Sequence, residues 1–285
     1  MKPPLFGFHE SIAGGLYKAA ESAQSKGLLT FQMFTRNPRG WNYTPLQKDE
    51  ILRFKDSLKI NNIKIAVAHM PYLPNLAGNN QEFYKKSVLS LKEELKRCAL
   101  LGIPYLVTHL GSHLGAGYEN GLKRILEAIE FAMKENKNNE VLILLENTAG
   151  TKNSMGTKIE EMQRIIEMSK YSSRLGICLD TSHAWGAGYK IDTETGVKNW
   201  LKEVDDKIGL DRLKVIHLND SPVDLASNID RHWHIGEGNI GDTCFRTIIN
   251  MKKFEDIPKI LETPVHKKGD DKKNQIKIQS LSSFI

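Results

Sequence analysis

Cysteine is scarce in this 285-residue chain, and the three present, Cys98, Cys178 and Cys244, stand far apart and in odd number. No C-x-x-C pair occurs. That argues against a disulfide framework and against cysteine-bound zinc, and it suits reduced thiols in a cytosolic setting. No run of about 18 apolar residues is present, so the sequence predicts no membrane span. The opening segment Met1–Gly7 lacks the apolar core of a secretory signal, which adds to the expectation of a cytoplasmic protein. A low-complexity linker is missing too. No glycine-rich nucleotide cradle is evident either: the run Gly236–Gly241 reads equally well as a turn, and no nucleotide cofactor is expected.

What is present is ordinary in bulk. Hydrophobic residues make up 40% of the chain, enough for one large core or two modest ones. The net charge is +6 and the pI about 9.0, a balance that favours polyanionic partners. Charge alone does not decide the partner, because many lysines (Lys85, Lys86, Lys92, Lys96, and Lys267, Lys268, Lys272, Lys273 near the end) read as solvated helix faces and tail.

The pattern is more informative. Eight short apolar runs read as strands: Leu5–His9, Leu28–Phe34, Lys64–His69, Tyr105–His109, Val141–Glu146, Leu175–Asp180, Leu213–His217 and Ile257–Glu262. Helical patterns lie between them. Thr44-Pro45 reads as N-cap and first turn of a helix running to Asn61, and residues 80–101 carry an apolar stripe stopped by Gly102. Residues 120–136 form another amphipathic stretch, and Thr157-Lys-Ile-Glu160 is a capping-box pattern opening a helix through Met168. Weaker helices are expected over 193–208 and 242–252. His266–Lys273 reads as a mobile loop before a last helix from about Asp271. Strand and helix thus alternate along the chain, predicting a single (β/α)8 TIM barrel over residues 1–285, with an open doubly wound sheet as the alternative.

Six of the eight runs end in His, Asp or Glu: His69, His109, Glu146, Asp180, His217 and Glu262, spaced 34 to 45 residues apart. In a barrel the C-terminal strand ends converge on one face, so these six predict one shared pocket there. His183 follows Asp180 closely. Asp230 and His232, two apart in an extended segment, can point the same way. Any one of these residues alone is better read as a hydrogen-bonded strand end, an ion-pair partner or a turn cap. Five imidazoles and four carboxylates together point to metal. They exceed what one ion needs and suit two or three, with zinc preferred and manganese or iron as competitors. His234 stands two residues past His232 and competes with it on spacing.

The chain also carries the segments His9-Glu-Ser-Ile-Ala-Gly-Gly15, Phe34-Thr-Arg-Asn-Pro-Arg39, His69-Met-Pro-Tyr-Leu73, His109-Leu-Gly-Ser-His113, Leu145-Glu-Asn-Thr-Ala-Gly150, Leu179-Asp-Thr-Ser-His183, His217-Leu-Asn-Asp220, Asp230-Arg-His232, Ile235-Gly-Glu-Gly-Asn-Ile-Gly241 and Leu261-Glu-Thr263. In this order they resemble the endonuclease IV family of apurinic/apyrimidinic endonucleases. They span nearly the whole chain. The loop Ser221–Asn228 departs from the family by lacking a lysine and a glycine often found there.

The resemblance implies a DNA-repair hydrolase. It would cut the phosphodiester 5′ to an abasic site in duplex DNA, leaving a 3′-hydroxyl and a 5′-deoxyribose phosphate, by a hydroxide activated at a trinuclear zinc centre. Removal of 3′-phosphates and other 3′-blocking groups is implied as well. His69, His109 and Glu146 would hold one zinc. Glu146 would bridge to a second held by Asp180, His217 and Glu262, and His183, Asp230 and His232 would hold the third, so His232 is preferred to His234. Arg39, Tyr72 and Leu73 would enter the DNA around the lesion. Damaged duplex DNA is the implied partner, and a monomer is the plain expectation. Two rivals share part of the pattern: a sugar isomerase or epimerase on the same barrel, which needs only one or two ions, and a non-catalytic metal- or nucleic-acid-binding barrel.

Overall fold

The computed structural model describes residues 4–267 and 269–283. Met1–Pro3, part of the segment read for a signal, lies outside them, as does Lys268 of the basic tail. Eight parallel strands form one sheet in the order β1-β8-β7-β6-β5-β4-β3-β2. They are β1 (Phe6–Phe8), β2 (Thr30–Met33), β3 (Ile65–His69), β4 (Tyr105–Thr108), β5 (Leu142–Glu146), β6 (Leu175–Asp180), β7 (Leu213–His217) and β8 (Lys259–Leu261). The helices are α1 (Tyr17–Ser25), α2 (Lys48–Ile60), α3 (Gln81–Leu101), α4 (Tyr118–Glu135), α5 (Ile159–Met168), α6 (Thr181–Gly186), α7 (Glu194–Lys207), α8 (Asp242–Ile249) and α9 (Asp270–Leu281). The architecture is the predicted (β/α)8 barrel. None of the helices among the described residues is long and apolar enough to cross a membrane.

The barrel closes between its first two strands through one parallel bridge, His9 to Gln32, and a hydrogen bond from Glu10 N–H to Gln32 O at 2.7 Å. Gly7 makes this close approach possible. A Cβ there would stand 2.0 Å from the carbonyl oxygen of Thr30, inside van der Waals contact, so only glycine fits.

Alternation along the strands then fixes where each side chain goes. Val67, Val107, Leu144, Cys178, Val215 and Ile260 pack together as a layer inside the barrel. Two residues further along come His69, His109, Glu146, Asp180, His217 and Glu262, at or one residue past the strand ends. The polar set is therefore the next layer up, at the C-terminal mouth. The opposite face of each strand packs against the helices, with Phe31, Leu106, Ile143, Ile177 and Ile216 in that outer core. Lys259 is the exception on that face. It is fully buried, and its ammonium donates to the carbonyls of Ile257, at 3.0 Å, and Phe254. Burial pushes its pKa down to about 8.

Several local expectations need correction. The helix expected from Thr44-Pro45 starts at Lys48, because the Thr44 carbonyl is taken by Arg97 Nη1 at 3.0 Å and Gln47 is extended. In α5 the carboxylate that reaches back is Glu161, accepting from Gly156 and Thr157 N–H, while Glu160 pairs with Lys207. The last helix starts at Asp270, within the stretch read as a loop. The Asp270 side chain accepts from the N–H groups of His266 and Lys267. Helix α1 has no counterpart in the sequence reading. Its buried face is Ala19, Ala20 and Ala23, too small to mark an apolar stripe.

Candidate metal centre

All nine candidate donors converge at the mouth of the barrel, and six of them, His69, His109, His183, Asp230, His232 and Glu262, line a cavity of about 380 Å³ there. Their contacts fall into three groups.

In the first, Glu146 Oε2 stands 3.2 Å from His69 Nε2 and 3.5 Å from His109 Nε2. In the second, His217 Nδ1 stands 2.9 Å from Glu146 Oε1, 3.3 Å from Glu262 Oε2 and 3.7 Å from Asp180 Oδ2. In the third, His183 Nε2 lies 3.2 Å from Asp230 Oδ1 and 3.4 Å from His232 Nε2, and Asp230 Oδ1 is 3.5 Å from His232 Nε2. Glu146 therefore gives one oxygen to each of the first two groups. Asp180 joins the second to the third, with Oδ2 at 3.6 Å from His232 Nε2.

These spacings match a coordination shell. Metal–ligand bonds of about 2.0–2.1 Å in a tetrahedron give ligand–ligand edges of about 3.3 Å, and most contacts above lie within a few tenths of an ångström of that.

The tautomers agree. His69 Nδ1 faces the Met70 carbonyl at 2.7 Å, His183 Nδ1 the Asn147 carbonyl at 2.9 Å and His232 Nδ1 the Glu262 carbonyl at 3.4 Å. A carbonyl only accepts, so the proton sits on Nδ1 and the lone pair on Nε2. The Nε2 atoms of His183 and His232 then oppose each other and Asp230 with acceptors alone. That arrangement is repulsive unless a proton or a metal cation sits among them. The donor set fits a divalent ion such as zinc.

Protons compete for the same positions. Burial lowers the His183 pKa, but the carboxylates of Asp180, Asp230 and Glu146 outweigh it and hold the imidazole up to about 10. Burial opposes ionisation of Asp230, and His183 and His232 overcome it to hold the carboxyl at about 2. Burial likewise opposes ionisation of Glu146, yet the surrounding imidazoles, His109 and His217 first, keep it well below the usual carboxylate range. Cys178 lies one layer below, near Glu146 and His217. Burial pushes its thiol up to about 12, so it stays protonated and outside the donor set.

His232, not His234, belongs to the cluster. The His234 ring turns away and its Nδ1 pairs with Asn274 at 3.0 Å. His113 is also elsewhere, accepting from Gly117 N–H. His9 does line the cavity. Burial lowers its pKa, and its Nε2 is buried without a partner among the described residues.

Arg39, Tyr72 and Leu73 lie on two adjacent loops at this face. Arg39 is exposed, and Tyr72 and Leu73 are 66% and 41% exposed. Tyr72 N–H donates to Pro38 O at 3.2 Å, and the Phe34 ring meets those of Tyr72, His9 and His69. The loop carrying Arg39 is anchored from below. The buried Arg36 guanidinium donates to Glu94 Oε1 at 2.6 Å, Ser90 Oγ at 2.7 Å and Gly40 O at 2.6 Å, while Thr35 Oγ1 donates to the other Glu94 oxygen.

Asp220 enters the sequence pattern only as part of a motif, yet it organises the loop that carries Asp230 and His232. Its oxygens accept from the N–H groups of Ser221, Gly236, Gly238 and Ile240. The glycine-rich run thus wraps a carboxylate of its own chain. Nothing local in the sequence marks this carboxylate, because three of its four partners lie 16 to 20 residues away.

Residues 20–283 match the family model described as a xylose isomerase-like TIM barrel. A protein named probable endonuclease 4 from Methanoculleus marisnigri is 47% identical over 98% of this chain and 99% of its own length. The crystal structure of endonuclease IV from Thermus thermophilus superposes with a TM-score of 0.87 at 34% identity, covering 98% of both chains. A D-tagatose 3-epimerase-like protein superposes with a TM-score of 0.73 at 20% identity, over 97% of this chain and 96% of its own, a likeness of fold alone.

Proposed function

The chain belongs to the endonuclease IV family, and on that premise we propose that it is an AP endonuclease of DNA repair. It hydrolyses the phosphodiester 5′ to an abasic site in duplex DNA, leaving a 3′-hydroxyl and a 5′-deoxyribose phosphate. His69, His109 and Glu146 would hold one zinc, Glu146, Asp180, His217 and Glu262 a second, and His183, Asp230 and His232 a third, with manganese or iron able to replace zinc. Bound there, the ions would supply a nucleophile from water at neutral pH and neutralise charge on the phosphate.

The residues divide the remaining work. Glu146 spans two groups and fixes their separation. The Nδ1–carbonyl bonds of His69, His183 and His232 hold three imidazoles with Nε2 presented. An abasic nucleotide has no base to unstack, so extruding it costs less than flipping a normal one. Tyr72 and Leu73 have the exposure and shape of an apolar wedge, and Arg39 offers a cation beside it for the vacated stack or a phosphate. The same pocket would accept a 3′-phosphate or another 3′-blocking group. The reading includes a monomer working in the cytoplasm without a nucleotide cofactor.

The observation that carries this reading is the surplus of donors. A sugar epimerase shares the barrel but has no use for a third group formed by His183, Asp230 and His232 beside an exposed Arg39–Tyr72 pair. The test is incision of a duplex bearing one abasic site, with and without chelator, with the product ends identified. Cleavage 5′ to the lesion that chelation abolishes is expected. Turnover of aldoses with an intact abasic duplex would overturn the reading in favour of the epimerase.

A further inference from the structure

Two strands contribute none of the nine donors. At the mouth of the barrel their places are taken by His9 after β1 and Gln32 in β2, the pair whose bridge closes the barrel. Gln32 is fully buried. Its Nε2 donates to Glu262 Oε1 at 2.6 Å, and its Oε1 stands 2.8 Å from His217 Nε2. The second amide hydrogen is directed at His9 Nδ1, 3.1 Å away.

The orientation of the amide follows from its neighbours. A carboxylate oxygen only accepts, so the nitrogen must face Glu262 and the oxygen is left for His217. An amide oxygen only accepts in turn, so His217 carries its proton on Nε2. That leaves the Nδ1 lone pair directed at Glu146 Oε1 and Glu262 Oε2. The same bond occupies Glu262 Oε1 and turns Oε2 toward His217. His217 presents Nδ1, whereas His69, His183 and His232 present Nε2.

We infer that Gln32 is a positioning residue of the second metal group, selecting the tautomer of His217 and the rotamer of Glu262 through one amide. The inference rests on the three-group reading of the site. Outer-shell partners of metal ligands typically govern affinity by about 10–100-fold. An aliphatic side chain in this place would leave the His217 Nε2–H buried without an acceptor and release Glu262.

The experiment uses the zinc-loaded full chain and two variants, Gln32→Leu and Gln32→Glu. Zinc is withdrawn stepwise with a chromophoric chelator, and the His217 ring nitrogens are followed by 15N NMR. In Gln32→Leu one zinc equivalent weakens about 10–100-fold, the other two hold as in the wild type, and the Nε2–H signature of His217 is lost. Gln32→Glu is nearly isosteric and keeps an acceptor for His217. It retains that signature but loses affinity at the same equivalent, because a carboxylate now opposes Glu262. Should Gln32→Leu fail to fold, Gln32→Glu carries the test. Unchanged affinity of every equivalent in the folded variants, even with a lowered melting temperature, overturns the inference and leaves the trinuclear reading standing. A wild-type chain that holds fewer than two zinc ions overturns the trinuclear reading itself, and the role of Gln32 with it.

Discussion

Asp220→Asn tests whether the loop that delivers the third donor group depends on one carboxylate. The buried Asp220 side chain receives four backbone N–H groups. Oδ1 takes Ser221 at 2.8 Å and Ile240 at 3.1 Å, and Oδ2 takes Gly236 at 2.9 Å and Gly238 at 3.1 Å. Asparagine replaces one of those oxygens with an NH2 group. Two bonds are lost, and two N–H donors then face another donor in a buried place. Hydrogen bonds to a charged group contribute about 1.5–3 kcal/mol each, so the pair predicts a loss of about 3–6 kcal/mol. Burial raises the pKa of Asp220 against the four N–H bonds, so holding the charge there costs something in the wild type and the lower end of that range is expected. The freed segment includes Asp230 and His232, so the metal content should fall by one ion per chain. Urea denaturation at neutral pH and metal analysis of the purified variant measure the two effects. A variant within about 1 kcal/mol of the wild type and with full metal content would refute the reasoning.

Three further outcomes follow from other positions. Glu146→Gln should lower incision of an abasic duplex by more than the roughly 100-fold typical of losing an outer-shell partner, with far-UV circular dichroism unchanged; full activity would refute the proposed bridging role of Glu146. Gly7→Ala should cost about 1–3 kcal/mol, because the added methyl would overlap the Thr30 carbonyl, and a thermal melt equal to that of the wild type would contradict the tight seam. Lys259 gives a pH dependence: its folded pKa of about 8 lies below the ordinary lysine value of 10.5, so the folded state releases a proton that the unfolded chain keeps. Stability relative to Lys259→Met should therefore rise with pH between about 8 and 10.5, by on the order of 3 kcal/mol in all, and a flat difference across that window would remove the buried charge from the account.

The sequence carries the donors clearly and their supports poorly. His69, Glu146, Asp180 and His217 each follow an apolar strand segment by the two-residue step of a barrel interior, so their convergence can be read from spacing. His109 and Glu262, expected as strand ends, stand one residue beyond the last paired position, a difference of backbone pairing that leaves their direction unchanged. Gln32, Asp220 and the Arg36–Glu94 pair are not legible. Each acts on a partner 16 to 230 residues away in sequence, and no local period marks such contacts. Thr44 shows how a long-range partner overrides a local signal, since Arg97 claims the carbonyl that a helix start would have used. Between His232 and His234 local spacing offers no choice, and Asn274 of the last helix accounts for the direction of the second ring.

Strand β1 is laddered to β8 and only bridged to β2. A ribosome making this chain releases Phe6 first and its ladder partner Lys259 about 250 residues later, at roughly 5–20 residues per second. For tens of seconds the N-terminal strand has no ladder to join, and its exposed backbone is open to pairing with other chains. Glu262 leaves the tunnel just after that partner, so the donor set is completed in the same step that seals the barrel. The nascent chain can gather imidazoles and carboxylates early, yet it gains the full ring of donors only once β1 and β8 pair.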